Sequence, residues 1–307
     1  MSTPRVSVIM PLYNTMSFIE EAIHSILSQT LEDFELIVVD NGSTDGSREY
    51  AMSLSDNRIR IAAASARGPG AATNAGIAVS RAELLAVMDS DDVAHPDRLR
   101  LQTEFMDAHP EVVLLGTRFA FRVGSQTVPV PPQPREHEQI RRALMNGQPV
   151  VCNPSTMARA RTAKAIGGHR LPGNGHDFDF FLRMGEVGKL YNLPTLLHYY
   201  RLHDQSTSIV RMMDTKEEQA YGLACAVARE NAVSEPDVGE FRCRWSERST
   251  FAKVREYADC KALDLYRKAI VKRAQRQWLR SAVTIARAAM LNPRRTAWHL
   301  KRRLGLC

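Results

Sequence analysis

The first hundred residues constrain the fold more than any other part of the chain. Four apolar runs, Val6-Ser-Val-Ile-Met10, Phe34-Glu-Leu-Ile-Val-Val39, Ile59-Arg-Ile61 and Leu84-Leu-Ala-Val-Met88, read as strands. Between them Ser17–Leu27, Ser47–Leu54 and Ala71–Val79 carry helical patterns. In the first of these, Ser17 stands as an N-cap with Glu20 three residues on, the pattern of a capping box. Strands alternating with helices imply right-handed crossovers. The expected class is therefore α/β, with a Rossmann-like, mainly parallel central sheet flanked by helices.

Polar clusters follow three of these strands directly: Tyr13-Asn14, Asp40 to Asp45, and Asp89-Ser-Asp-Asp92. In open α/β sheets ligands bind outside the carboxyl ends of the strands. If the segment after Met88 stays extended, residues two apart point to one side, so Asp89 and Asp91 face one cation while Asp92 faces elsewhere. Carboxylate oxygens suit hard divalent ions such as Mg²⁺ or Mn²⁺, which keep phosphate oxygens as further ligands. Asp40 has two readings. Its carboxylate builds an Asx-turn into the next helix, or it accepts from a base N–H or a ribose hydroxyl.

Beyond this half, a helix from Arg98 to about His109 and a strand from Val112 to Arg122 lead to Val128-Pro-Val-Pro-Pro-Gln-Pro134, which is expected to break regular structure. A helix at about 136–146, Asn153-Pro-Ser-Thr-Met157 and His176-Asp-Phe-Asp-Phe-Phe-Leu-Arg183 follow. From Thr215 onward the pattern is helical, with breaks near Ser234-Glu-Pro236 and Asn292-Pro293. The organisation expected is a nucleotide-binding half at 1–125, an acceptor half at 126–210 and a helical, basic region at 211–307.

Composition sharpens the last of these. The chain carries +7, but from Phe251 onward fifteen Lys/Arg face Glu256, Asp259 and Asp264, a local +12 that leaves −5 for the first 250 residues. Within Lys268–Leu291, Ile270, Ala274, Trp278, Leu279, Ala282, Val283 and Ile285 recur amid Lys272, Arg273, Arg276, Arg280 and Arg287, followed by Arg294-Arg295, Trp298 and Lys301-Arg-Arg303. Basic residues with Trp and aliphatics at helical spacing in Lys268–Leu291 suggest a helix lying on an anionic membrane surface, with 265–307 as the segment that meets it. The other reading is a charged face on a helix packed against the body. Nucleic acid is disfavoured, because no recognition motif accompanies the charge. No window offers 18 consecutive apolar residues, the N-terminus lacks a signal-peptide pattern, and Cys307 is not part of a C-a-a-X box. The five cysteines are widely spaced, without a Cys-x-x-Cys pair, so neither a disulfide framework nor a zinc site is suggested. The location expected is cytoplasmic, peripheral on the inner face of the cell membrane.

Taken in order, Pro11-Leu-Tyr-Asn14, Val38-Val-Asp-Asn-Gly-Ser-Thr-Asp45, Asn74-Ala-Gly-Ile77, Met88-Asp-Ser-Asp-Asp92 with Pro96-Asp-Arg-Leu99, His176 to Arg183 and Tyr200-Arg-Leu-His-Asp-Gln-Ser206 resemble the elements of the family 2 inverting glycosyltransferases, which have the GT-A fold. The resemblance covers roughly residues 5–210. It implies that Pro11, Tyr13, Asn14, Asn74 and Ser90 belong to the nucleotide-sugar site, that Asp40 contacts a uracil-type base and that Asp89 lies near the ribose. It further implies that Asp91 binds Mn²⁺ or Mg²⁺ bridging the sugar diphosphate, with His203 as a further metal or diphosphate contact, and that Asp177 is the general base. The chain departs from the family pattern at three places, one of them Arg81-Ala-Glu-Leu84 where Gly-Glu-Tyr is common before the fourth strand. His176 stands where Glu usually precedes the base, with Asp179 as a rival base, and Ala72-Thr-Asn74 stands where Ala-Arg-Asn is usual, leaving Arg67 or Arg81 to replace the missing Arg.

The residue types suit the chemistry. A metal neutralises the departing diphosphate, one carboxylate takes the acceptor proton, and a single in-line displacement inverts the anomeric centre. The expected activity is transfer of a hexosyl or N-acetylhexosaminyl group, from a nucleotide-linked donor expected to be UDP-linked, to a hydroxyl of a lipid-linked or growing glycan. Two alternatives compete with it. A nucleotidyltransferase would need a Gly-rich, Lys-bearing loop after the first strand, and Pro11-Leu-Tyr-Asn14 has neither. A non-catalytic sugar-nucleotide-binding or scaffold protein of a glycan assembly complex is the other.

Overall fold

The computed structural model describes residues 3–203, 212–294, 296–297 and 300. The N-terminal half follows the expected order: β1 (Val6–Leu12), α1 (Ile19–Leu27), β2 (Phe34–Asp40), α2 (Ser47–Ser53), β3 (Ile59–Ala63), α3 (Pro69–Val79) and β4 (Leu84–Val87). These four strands are parallel, in the order β3-β2-β1-β4. Leu12 pairs with Asp40, Asp40 with Ala63 and Ile9 with Val87, so the four carboxyl ends come out along one edge. Alternate residues of a strand face opposite sides. Accordingly Ile9, Ile37 and Val39 enter one core with Ala72 and Ile77 of α3, while Val8, Met10, Leu36 and Val38 enter the other with Ile23 and Ile26 of α1. A Cβ on Gly76 would sit 2.4 Å from Cγ2 of Ile9, so only glycine lets α3 lie this close to β1.

The α1 start differs from expectation. Helix α1 begins at Ile19, and Ser17 makes no capping bond; instead the Phe18 and Ile19 amides donate to the Thr15 carbonyl in a tight turn.

The second half adds β5 (Val93–Ala94), α4 (Arg98–Ala108), β6 (Val112–Val123), β7 (Gln126–Pro129), α5 (His137–Met145), β8 (Met157–Arg159), α6 (Ala160–Ala165), α7 (His176–Val187) and β9 (Lys189–Arg201). Strand β8 runs antiparallel between β4 and β6, β6 and β9 are parallel, and β5 pairs antiparallel with β9. The nine-stranded sheet is therefore parallel through its first four strands and mixed beyond them. Val128 and Pro129, expected in an irregular loop, pair with Phe121 and Ala120 at the end of a hairpin.

Four helices complete the described chain: α8 (Met212–Glu230), α9 (Val238–Ser246), α10 (Thr250–Ala274) and α11 (Trp278–Leu291). The basic segment is not one helix. Arg276 takes a left-handed φ of 60°, and α10 and α11 fold back on each other there. Tyr266, Ile270 and Ala274 pack on Val123, Val128 and Leu202, so two residues of the expected lipid-facing stripe, Ile270 and Ala274, are buried against the body. Arg295, Trp298, Lys301–Arg303 and Cys307 lie outside the described residues, as does 204–206 of the Arg-x-His segment. Among the described residues, no helix is long and apolar enough to cross a membrane.

Opposite the carboxyl edge, buried Glu35 accepts from Ser7 Oγ (2.6 Å), the Arg81 amide and Nε (both 2.9 Å) and Arg60 Nη1 (2.7 Å). These bonds tie β1, β2, β3 and the entry to β4 together. Removing one partner of a buried charge cluster leaves the others uncompensated. Glu35→Ala should destabilise the protein by on the order of 2 kcal/mol, because the arginines can still reach water. Equilibrium urea unfolding of variant and wild type measures the loss.

Candidate active site

The carboxyl edge gathers an acidic turn. After Val87 the chain leaves the sheet, and the Asp92 amide donates back to the Asp89 carbonyl (3.3 Å). Because the segment is turned and not extended, the side-to-side alternation expected of it does not hold. Oxygens of Asp89, Asp91 and Asp92 lie within 4.8 Å of one another, so Asp92 belongs to the cluster it was expected to face away from. Asp92 is the best satisfied of the three: His198 Nε2 lies 2.7 Å from Oδ2, and the Arg201 amide donates to Oδ1 (2.8 Å). Asp91 Oδ2 faces His203 Nε2 at 2.9 Å, and its carbonyl accepts from Arg201 Nε (2.6 Å). The His203 ring rests on Phe18, and its buried Nδ1 has no partner among the described residues.

Like charges this close need compensation. Arg98, fully buried beneath the turn, donates to the Val87 carbonyl (2.7 Å), the Thr156 carbonyl (3.3 Å) and Gln102 Oε1 (3.0 Å). Burial lowers its pKa to about 10, against the pull of nearby carboxylates. Even so, burial, with the charges of Asp91 and Asp177, pushes Asp89 up to about 8. Asp92 is raised well above the usual carboxylate range, first by burial and then by Asp91 and Asp89. A set of hard oxygen donors with surplus negative charge and a histidine at its rim fits a divalent cation.

The loops around this turn interlock. Asn14, at a left-handed φ of 51°, accepts from the Thr44 amide through Oδ1 (2.8 Å), and its own amide donates to Ser43 Oγ (3.3 Å). Asp45 holds the Met16 amide (2.8 Å) as well as the Ser47 hydroxyl (2.6 Å). Thr15 Oγ1 donates to Ser90 Oγ (3.0 Å), and Asn41 exchanges bonds with Gly68. Pro11 ends on this edge next to exposed Tyr13. Asp40 Oδ1 accepts from the Ser43 amide (3.0 Å), a local side-chain-to-backbone bond three residues on where an Asx-turn would close two residues on, while Oδ2 lies 3.9 Å from Arg48 Nε. Asn74 is engaged at both ends of its carboxamide, donating to the His169 carbonyl (2.7 Å) and accepting from the His169 amide (2.9 Å). In this arrangement it ties α3 to the loop that precedes α7.

That loop leads into α7, whose first turn holds Asp177 near enough to the acidic turn for its charge to act on Asp89. Burial pushes Asp177 up to about 6, against the backbone amides of Phe178 and Asp177 itself. Asp179, the rival base, is completely buried and paired with Arg183 (2.8 Å) and Arg170 (2.5 Å), which leaves it no route to an acceptor. Glu218 of α8 braces the loop, accepting from the Gly173 (2.9 Å) and Gly175 (2.8 Å) amides. The two candidate substitutes for the missing arginine separate clearly. Arg81 is bound to Glu35 at the far edge, whereas Arg67 is exposed in the loop after β3, on the carboxyl edge.

For Arg98 and Arg201 the sequence carries a signal, their places in Pro96-Asp-Arg-Leu99 and Tyr200-Arg-Leu-His203; for Glu218 it carries none, and the parts that Asp92 and His198 play arise from the fold.

Comparison with known proteins agrees with this geometry. The sequence profile of Glycosyl transferase family 2 matches residues 7–167, just over half of the chain. The chain belongs to this family. It is 32% identical over 224 residues to the putative glycosyltransferase EpsE of Bacillus subtilis, covering 68% of this chain and 77% of that protein. It is 27% identical over 289 residues to the chondroitin synthase of Pasteurella multocida, covering 92% of this chain but 29% of that longer protein. Among solved structures, Staphylococcus aureus TarS (residues 1–349, in complex with UDP) matches 98% of this chain and 92% of its own with a TM-score of 0.59 at 17% identity. The mannosyltransferase PcManGT of Pyrobaculum calidifontis, bound to GDP-Man and Mn²⁺, matches 100% of this chain and 88% of its own at a TM-score of 0.57 and 18% identity. These place the chain in the GT-A fold.

In place of the family's usual Glu, His176 is buried with its Nδ1 2.8 Å from that of His169. Burial lowers His169 to about 4 and His176 well below 6.5, so both are neutral in the folded protein. A depressed histidine pKa contributes stability that is present above the unfolded value of 6.5 and is lost as pH falls toward the folded one. The raised carboxylates Asp89, Asp92 and Asp177 act in the opposite sense over the same range, so His169 is read as a difference: the unfolding free energy of wild type relative to His169→Gln should fall by on the order of 2 kcal/mol between about pH 6.5 and pH 4.5, as measured by urea unfolding of both proteins across that range.

Proposed function

We propose that this glycosyltransferase moves a sugar from a nucleotide donor, UDP-linked, to a hydroxyl of a lipid-linked or growing glycan acceptor, with inversion. The observation that carries the reading is the Asp89–Asp92 turn at the carboxyl end of β4, with the separate carboxylate of Asp177 near enough for its charge to act on Asp89. Pro11, Tyr13, Asn14 and Asp40 form the nucleotide end of the edge, and Asp89 with Ser90 the ribose and diphosphate end. Asn74 contributes through the loop it anchors. The base preference is suggested by TarS, which was crystallised with UDP; PcManGT, bound to GDP-Man, keeps GDP as the rival.

Asp91, with His203 at the rim, would hold Mn²⁺ or Mg²⁺, the ion in PcManGT being Mn²⁺. Such an ion neutralises charge developing on the departing diphosphate. Arg67, on the same edge, is placed to take up part of the role of the absent arginine. Asp177 Oδ accepts the acceptor hydroxyl proton as that oxygen attacks the anomeric carbon from the face opposite the diphosphate. A pKa of about 6 suits this work, because the group is ionised near neutrality and still basic enough to take a proton. The half-domain boundaries near 125 and 210 then separate donor and acceptor contacts, and the enzyme works as a peripheral protein on the inner face of a membrane.

The competing scaffold reading is favoured by the missing arginine and the engaged Asn74. A thermal-shift series with UDP, GDP and their sugars, with and without Mn²⁺, separates the two. A metal-dependent rise specific to UDP ligands is expected, since a ligand binding only the native state raises its stability. Asp177→Asn should keep that rise and lower transfer at least about 100-fold, the usual reach of general-base catalysis. Loss of donor binding in this variant, or unchanged transfer, would count against Asp177 as the base.

A further inference from the structure

Helix α11 is held by one face and shows another. Ser281 Oγ donates to the Ala269 carbonyl (2.8 Å) and Lys272 Nζ to Thr284 Oγ1 (2.9 Å), so Ser281, Thr284 and Ala288 lie against α10. On the opposite side Leu279 is 85% exposed, Val283 60% and Met290 78%, with exposed Ala286 between them. Spacings of four, three and four place these residues in one stripe along the helix. Arg280 and Arg287, seven residues apart, run beside the stripe and are exposed. At the head of the helix Trp278 is half-exposed, with the Arg273 guanidinium over its ring.

We propose that this face of α11 docks on the anionic surface of a lipid bilayer, with Leu279, Val283, Ala286 and Met290 entering the acyl boundary and Arg280 and Arg287 meeting lipid phosphates. The proposal deepens the peripheral location given above, and names the surface responsible. Charge selects the occupant. No acidic residue follows Asp264, so a second copy of this face would bring arginine against arginine. A nucleic acid would satisfy the arginines and leave the apolar stripe in water. An anionic bilayer complements both features at once, and a Trp ring with a cation over it is suited to headgroup depth. The stripe differs from the one that periodicity alone suggested, because Ile270 and Ala274 face the body.

Flotation of the full-length protein with vesicles tests this without donor or turnover, so its failure is distinct from failure of the glycosyltransferase reading. Wild type should float with phosphatidylglycerol–phosphatidylcholine vesicles and about ten-fold less with phosphatidylcholine alone. The triple variant Leu279→Gln, Val283→Gln, Met290→Gln and the double variant Arg280→Gln, Arg287→Gln should each reduce flotation about ten-fold, with melting temperature and donor-induced shift unchanged. Wild type that stays unbound, or a triple variant that floats as well as wild type, overturns the proposal. So does a concentration-dependent dimer that the triple variant abolishes, which would assign the face to a second copy, or salt-sensitive retention on generic RNA in place of vesicles.

Discussion

The crowding of carboxylates at the end of β4 is the constraint around which the rest of the molecule is arranged. Asp89, Asp91 and Asp92 repel one another, and Asp177 adds to the field. The chain holds this turn from three directions. Arg98 supports it from the core through the Val87 and Thr156 carbonyls, Arg201 grips the Asp91 carbonyl from β9, and His198 closes on Asp92. Burying one member of such a group without the others would leave uncompensated charge, so these contacts have to form together. What remains is a local excess of negative charge in hard oxygen donors, which suits a divalent cation.

A sheet that places its carboxyl ends in register makes the turn accessible, and the interlocked loops make it rigid. The Asn14–Thr44, Asp45–Met16, Thr15–Ser90 and Asn41–Gly68 bonds join loops that are far apart in sequence. A donor lying across them would meet preformed walls, which reduces the ordering cost of binding. Asp177 arrives from a different direction, on a helix whose approach is braced by Asn74 and by Glu218 of α8. The C-terminal region therefore contributes to the site through α8 while α11 faces outward.

Much of this was legible in the residues themselves. Strand and helix periodicity located the first seven elements to within a few residues, since the apolar runs of β1, β2 and β4 are buried on both faces, while the half-exposed β3 is marked only by its short apolar run between two helical patterns. The ordered motifs located the edge, the acidic turn and the family. Less legible were features that depend on what folds back from elsewhere. Ser17 lost its capping role to a turn at Thr15, Val128 and Pro129 gained partners in a hairpin, and Lys268–Leu291 broke at Arg276. None of these has a signature within its own stretch of sequence.

By itself the sequence determined the α/β class, the position of the acidic cluster after the fourth strand and the basic character of the C-terminal region, because periodicity, loop chemistry and charge are local properties. Only the tertiary structure decided that Asp92 joins the cluster, that Asp179 is consumed by Arg170 and Arg183 while Asp177 stays available, and that Arg67 lies on the carboxyl edge while Arg81 does not. It also decided which side of the basic helices faces outward. Each of these outcomes depends on a partner distant in sequence, and a charge or an apolar side chain acquires its role from what lies beside it in space.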